Sequence, residues 1–217
     1  MWSGKIFMVA NPGKRLFTTV EMEHKMQNYK YFLPIQTRWN DNDHYGHVNN
    51  SIYHFYVDTI VNNYLIWFCG LKTSNCPDKS VGYMVDTRCI YRKPLQYPQV
   101  LLGGLCISKI GKSSVHYQVA FFEPKLDYTK MCSDNPQSDP HLKLGLGSRG
   151  LLLDPSTASD FISEMVEHYH DKASVVGKSV HVFVNSKSQK PASKLNEHLL
   201  SGLQNVFAPC AVTKSNL

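Results

Sequence analysis

The stretch SIYHFYVDTIVNNYLIWFCG, residues 51–70, decides the fold. It runs without a proline or an internal glycine until Gly70 supplies a stop, so it is expected to form a helix. Between Ile52 and Cys69 the only charged residue is Asp58. Ile52, Phe55, Tyr56, Val57, Ile60, Val61, Tyr64, Leu65, Ile66, Trp67 and Phe68 point in nearly all directions around the axis. A helix apolar around most of its circumference has to be sheathed. This one is too polar and too aromatic for a bilayer span, and nowhere does the chain hold 18 consecutive apolar residues. The sheath is therefore expected to be protein.

The segments on either side can provide it. Upstream, KYFLPIQTRW (30–39) reads as a strand with Ile35, Thr37 and Trp39 on one face, and Pro34 marks a strand start or an edge. Downstream, SVGYMVDTRCIYRK (80–93) alternates, with Val81, Tyr83, Val85, Thr87, Cys89 and Tyr91 expected on one face. Residues 97–109 and 114–122 alternate in the same way, separated by the turn-like breaks KPLQYP and KIGKSS. SVHVFVN (179–185) is a further strand. One long buried helix followed by antiparallel strands is satisfied economically by a curved sheet around that helix, an α+β arrangement.

The remaining segments read less clearly. Residues 126–176 are rich in Ser, Asp, Pro and Gly and poorly patterned, which predicts an inserted loop or a partly disordered segment, with a short amphipathic helix within 160–170. Residues 193–207 predict a C-terminal helix with Leu195, Leu199, Leu203 and Val206 on one side. Residues 1–29 read as a leader with no acid before Glu21, a composition compatible with a mitochondrial presequence as well as with a plain disordered extension of a cytoplasmic protein. The expected division is a leader (1–29), one domain (30–192) and a C-terminal helix and tail (193–217).

The formal net charge is +6, but Lys and Arg are scattered and form no long run, which argues against a nucleic-acid binder and suits a small anionic ligand. Six cysteines lie far apart with no CxxC pair, unlike a disulfide framework or a zinc ribbon, and are read as reduced thiols.

Chemistry concentrates just before the helix, in DNDHYGHVNN (41–50). A calcium loop would match Asp41, Asp43 and Gly46, but Tyr45 and Ile52 stand where oxygen ligands belong. A transition-metal site could use His44 and His47 with Asp41 or Asp43, yet no third ligand has a recognisable spacing. In the catalytic reading, a carboxylate beside a helix N-terminus acts as base or nucleophile while unpaired N–H groups hold an oxyanion. Gly46 allows a sharp turn and a close approach, and Asn49, Asn50 and Ser51 are good capping types. For Asp43 the competing explanation is a turn residue bonding its own backbone.

The pattern D-x-D-x-x-G-H-V-N-N-x-x-Y over 41–53 resembles the signature of the hotdog-fold thioesterases, of the 4-hydroxybenzoyl-CoA and acyl-CoA thioesterase branch and of the plant acyl-ACP enzymes. VDTRCIYRKPLQYPQVLLGG, IGKSSVHYQV and VHVFVNSKSQKP are similar to further segments of that family, so the likeness covers about 30–123 and 177–192. The resemblance implies an acyl thioester hydrolase working on CoA or an acyl carrier thioester, with no cofactor. Asp43 would be the general base or nucleophile and His47 a helper. The acyl-ACP branch places an Asn where this chain has Tyr45. Tyr45, Gly46, Asn49, Tyr53 and Tyr83 are implied on the substrate side, with Tyr53, Tyr56 and Tyr83 along an acyl tunnel beside the helix. Arg88, Arg92, Lys112 and Ser113 are candidates for pantetheine and phosphates. A homodimer or homotetramer is implied, with the site at a subunit seam. A non-catalytic acyl-CoA-binding or scaffolding protein on the same fold is the rival, and a hotdog dehydratase matches the loop less well.

Overall fold

In the computed structural model, which describes residues 23–72, 80–125 and 144–208, the expected helix runs Ile52–Phe68 (α1) and ends before Gly70, whose φ of 66° only glycine adopts freely. It is preceded by β1 (Tyr31–Gln36) and followed by β2 (Ser80–Tyr91), β3 (Val100–Ile110) and β4 (Ser114–Phe122). A short β5 (Leu151–Leu152), a helix α2 (Ala158–His168), β6 (Val175–Asn185) and α3 (Glu197–Asn205) follow among the described residues. The six strands form one antiparallel sheet in the order β2-β6-β4-β3-β1-β5. This is the hotdog arrangement, α+β, with α1 on the inner face of the sheet.

The alternation of each strand explains the wrapping. Val115, Tyr117, Val119 and Phe121 of β4 face inward with Leu33, Ile35, Leu101 and Leu105, and pack on Tyr53, Tyr56, Val57, Ile60, Val61, Tyr64 and Leu65 of α1. Glycine lets the helix settle closely: a Cβ on Gly177 would lie 2.3 Å from Val57 Cγ2. α3 joins this core through Leu199 and Leu203, and its carbonyl at Gly202 accepts the Tyr64 hydroxyl at 2.6 Å.

A second core covers the outer face of the sheet and departs from the sequence reading. Leu144, Leu146, Met165, Tyr169 and Ala173 pack with Met26 and Tyr29 against Phe32, Leu102, Cys106, Ala120, Phe122 and Val176. The described part of the 126–176 insertion, residues 144–176, is therefore an ordered cover rather than a loop, and α2 is the helix expected within 160–170; residues 126–143 lie outside the described residues. Likewise residues 23–29, expected in the leader, belong to the domain: the Met26 N–H donates to the Asp171 carbonyl at 2.9 Å and Lys178 pairs with Glu23 at 2.6 Å.

Two further expectations shift. Trp39 lies in a 3-10 turn, 81% exposed, because the chain leaves the sheet after Gln36. In β2 a bulge between Met84 and Asp86 interrupts the alternation. Gly82, Met84, Thr87, Cys89 and Tyr91 sit opposite the inward residues Phe183, His181, Ser179, Gly177 and Val175, whereas Tyr83 sits opposite Val182. Tyr83 thus falls on the outer face, away from the helix it was expected to line. Cys69, Cys89 and Cys106 are free thiols; Cys76, Cys132 and Cys210 lie outside the described residues. No helix among the described residues is long and apolar enough to cross a membrane.

Candidate active site

The loop between β1 and α1 is built around Asp41. Burial pushes its carboxyl pKa up, but hydrogen bonds from the Arg38 side chain, the Tyr56 hydroxyl and the Arg38 N–H outweigh that and hold it below the usual carboxylate value. Arg38 Nη2 lies 2.8 Å from Oδ1, Arg38 N 2.7 Å and Tyr56 Oη 2.5 Å from Oδ2. With no exposed surface and its oxygens so occupied, Asp41 is a structural anchor, and neither the calcium nor the metal reading keeps it as a ligand. Among the described residues no three His, Cys, Asp or Glu side chains converge as a metal site.

Asp43 sits differently. Its N–H donates to the His47 carbonyl at 2.8 Å, its carbonyl accepts from Gly46, and Oδ1 accepts from the N–H groups of Tyr45 at 2.8 Å and His47 at 3.3 Å. Gly46 closes this turn at φ 77°. The turn-residue explanation therefore holds for Oδ1, while Oδ2 takes no hydrogen bond among the described residues. The side chain is half-buried, close enough to the Tyr53 hydroxyl to act on it electrostatically. Burial raises the Tyr53 pKa to about 12, so it stays a neutral donor.

The helix start is ordered by Asn49, whose Oδ1 accepts from both Ser51 N at 3.0 Å and Ser51 Oγ at 2.9 Å; Ser51 makes no side-chain cap of its own. The loop is pinned to the β2–β3 connection by Val48 N to the Leu95 carbonyl at 2.7 Å and Tyr97 N to Asn42 Oδ1 at 3.2 Å. The Tyr91 hydroxyl reaches the Asn50 carbonyl at 3.0 Å, so the end of β2 is tied to the same turn.

The other expected residues are distributed unevenly. Tyr45 is 85% exposed at the loop tip, and the His47 side chain also points to solvent. Tyr53 lies in the core beside the loop, with its ring 5.4 Å from Tyr91. Arg88 pairs with Lys178 in the β2–β6 ladder and so shares the outer face with Tyr83. Arg92 follows β2 at the loop end of the sheet and acts electrostatically on His24 of the outer cover. Lys112 and Ser113 occupy the β3–β4 turn, at the far end of β3 and roughly 35 Å from the loop at about 3.3 Å per residue. Within one chain Arg88, on the outer face, and Lys112 and Ser113, at the far end of β3, are thus set apart from Asp43.

Sequence reading passed over the wall between α1 and β2. A His54 ring nitrogen lies 3.1 Å from Thr87 Oγ1 and 4.0 Å from Cys89 Sγ. The signal was the i, i+4 pair His54 and Asp58 on an otherwise apolar helix. On the opposite flank of α1, a groove of about 510 Å³ lies between Pro34, Ile35 and Arg38 and the helix residues Ile52, Phe55 and Thr59. The site thus offers a carboxylate with one oxygen fixed and one free, beside the first turn of a helix, which suits proton abstraction from water or attack on a carbonyl.

The family model of the thioesterase-like superfamily matches residues 37–203. Among solved structures, a protein from Pseudomonas aeruginosa strain PAO1 is similar at 29% identity and a TM-score of 0.61, over 85% of this chain and 96% of that one. A 1,4-dihydroxy-2-naphthoyl-CoA thioesterase from Synechocystis matches at 11% identity and a TM-score of 0.55, over 81% of this chain and 96% of its own. A DHNA-CoA thioesterase from Staphylococcus aureus matches at 12% identity and a TM-score of 0.50, over 80% and 86%. At 11% and 12% identity the likeness is one of fold. No curated protein matches the chain.

Proposed function

Because the chain belongs to the thioesterase-like superfamily, we propose that it is a thioester hydrolase that cleaves an acyl-CoA to free acid and CoA, with Asp43 as general base or nucleophile. The observation that carries this reading is the Asp43 carboxylate itself. Its Oδ1 is held by two loop N–H groups and its Oδ2 is left unclaimed beside the first turn of α1. Orienting one oxygen leaves the other to take a proton from water or to attack the thioester carbonyl. The N–H groups of Ser51, Ile52 and His54 already donate to Asn49 and Ser51 oxygens, so an oxyanion at the first turn would fall to the Tyr53 N–H, and a single donor contributes about 3–4 kcal/mol in comparable sites. His47 would help from its exposed position by orienting water or the thioester.

The assembly proposed with this activity is a dimer across β2. That strand is twelve residues long, is paired among the described residues with β6 alone, and exposes Val81, Tyr83, Val85 and Ile90. A long apolar edge of this kind is a template for pairing with another strand. The opposite edge of β1 is already occupied in part by β5. Antiparallel pairing of two β2 strands would also bring a second subunit's basic groups toward each loop.

Thiol release from a panel of acyl-CoAs tests the proposal. Wild type should release CoA, and Asp43→Asn should lose about 10²- to 10⁴-fold in turnover while remaining folded. Retained turnover in Asp43→Asn would reject the role of Asp43. Tight acyl-CoA binding by wild type without any cleavage would favour the non-catalytic binding protein instead.

A further inference from the structure

The pattern D-x-D leaves position 42 open, yet the side chain standing there ties the Asp43 turn to the rest of the protein. Residues 43–47 close on themselves. The Asp43 N–H donates to the His47 carbonyl, the Gly46 N–H to the Asp43 carbonyl, and the N–H groups of Tyr45 and His47 to Asp43 Oδ1. These bonds fix the carboxylate within the turn and leave open where the turn itself points. Among the described residues one hydrogen bond reaches this turn from outside: Asn42 Nδ2 donates to the Gly46 carbonyl at 3.1 Å.

The same amide is anchored at its other end. Asn42 Oδ1 accepts the Tyr97 N–H at 3.2 Å, and the Tyr97 ring packs edge to face on Trp39 with centroids 5.9 Å apart. Tyr97 lies between β2 and β3, in the connection whose Leu95 carbonyl accepts the Val48 N–H at 2.7 Å. The Tyr97 N–H can only donate and the Gly46 carbonyl can only accept, so the two ends of the amide are told apart by their partners. Asn42 and Val48 form the last β-bridge before the turn, and beyond it the turn hangs on this one side chain. An amide is what the place requires. A carboxylate would keep the acceptor, lose the donor and set another negative charge beside Asp41 and Asp43; a hydrocarbon would lose both bonds.

Resting on the thioester hydrolase reading, we infer that Asn42 is a positioning residue, which touches no substrate and holds the turn so that Oδ2 of Asp43 stays aimed at the start of α1. The turn orients the carboxylate, and Asn42 orients the turn. Without the clamp the turn pivots on the Asn42–Val48 bridge, and misplacing a reacting group by about 1 Å costs on the order of 10²-fold in rate. Asn42 is only half-buried, so losing its bonds costs little stability.

Steady-state kinetics and NMR relaxation test this together. Asn42→Ala should lower kcat about 10- to 100-fold with KM within about twofold of wild type, and leave the melting temperature near that of wild type. Added to Asp43→Asn it should cause no further loss, because a residue that acts through Asp43 then has nothing to position. Backbone amide order parameters of Tyr45 and Gly46 should fall from about 0.85 to below about 0.6 in Asn42→Ala while those of β1 and α1 hold. Asn42→Asp, which keeps the Tyr97 bond and the shape of the side chain, should repeat the kinetic loss and serves if Asn42→Ala does not fold. Wild-type kcat in both variants, an equal further loss in the Asp43→Asn background, or an unmoved turn would overturn the inference. If wild type cleaves no acyl-CoA of the panel, the hydrolase reading fails and the order parameters decide whether Asn42 holds the turn. Cleavage by wild type with order parameters unchanged in Asn42→Ala rejects the positioning role and leaves the hydrolase reading standing.

Discussion

At Asp41 the carboxylate is fully buried and tied to Arg38 and Tyr56, whereas two positions on, Asp43 keeps one oxygen free. Removing the first should cost stability and removing the second should cost chemistry. Asp41→Ala strips a charged acceptor from buried partners and is expected to destabilise by about 3 kcal/mol. Asp43→Ala loses only the two exposed turn bonds from Tyr45 and His47 and should cost about 1 kcal/mol. Urea denaturation of the two variants checks the contrast, and equal losses would contradict the separate duties. The sign with pH follows from the same bonds. The folded pKa of Asp41 lies below its unfolded value because its hydrogen bonds override burial. Its contribution is therefore complete above about pH 4 and is lost as pH falls through the folded pKa. Acid unfolding of Asp41→Asn should be correspondingly shallower.

Among the elements, the contact of α3 with the end of α1 is the least forgiving. A Cβ on Gly202 would fall 2.4 Å from the Phe68 carbonyl oxygen and 2.6 Å from Cys69 Sγ, and a backbone atom cannot move aside. Gly202→Ala is expected to destabilise by roughly 1–3 kcal/mol. Gly103→Ala meets the end of the Ile60 side chain, at 2.3 Å from Cδ1, and a methyl that can turn away should make its cost smaller. Thermal melts of the pair decide this, and a larger loss at Gly103 would contradict it. The bulge in β2 acts at the same scale. By inserting Val85 it turns Thr87, Cys89 and Tyr91 toward α1 and leaves Tyr83 outside, and so composes the polar wall along the helix.

For the whole molecule, the insertion and the N-terminal strap change which surfaces stay open. Residues 144–173 and 23–29 cover the outer face over β1, β3 and β4, and β5 occupies part of the β1 edge. What the described residues leave open is the β2 edge, with Tyr83 47% and Val85 60% exposed, and one face of α1, with Phe55 64% and Trp67 51% exposed. If dimerisation uses β2, the double substitution Tyr83→Lys and Val85→Lys should shift the protein from dimer to monomer in sedimentation velocity, since edge lysines oppose strand pairing. A dimer that survives both changes would place the seam elsewhere.

How much was legible follows from how local each signal is. The central helix, the strands around it and the α+β class could be read from composition and alternation, because 3.6- and 2-residue periods belong to the chain itself. The turn around Asp43 and Gly46 was legible for the same reason, since its bonds span only a few residues. The identity of the buried carboxylate was not: Asp41 and Asp43 look equivalent until Tyr56, fifteen residues away, reaches one of them. The helical spacing of Met165 and Tyr169 could be read, but not the cover they build, because Leu144 and Leu146 carry no clear period and all four gain their meaning against Phe32, Leu102 and Phe122. The sequence alone determined which segments had to be helix or strand and where the chemistry gathers. Tertiary structure alone decided which face Tyr83 takes and which aspartate is spent on stability, because each depends on a partner distant in the chain.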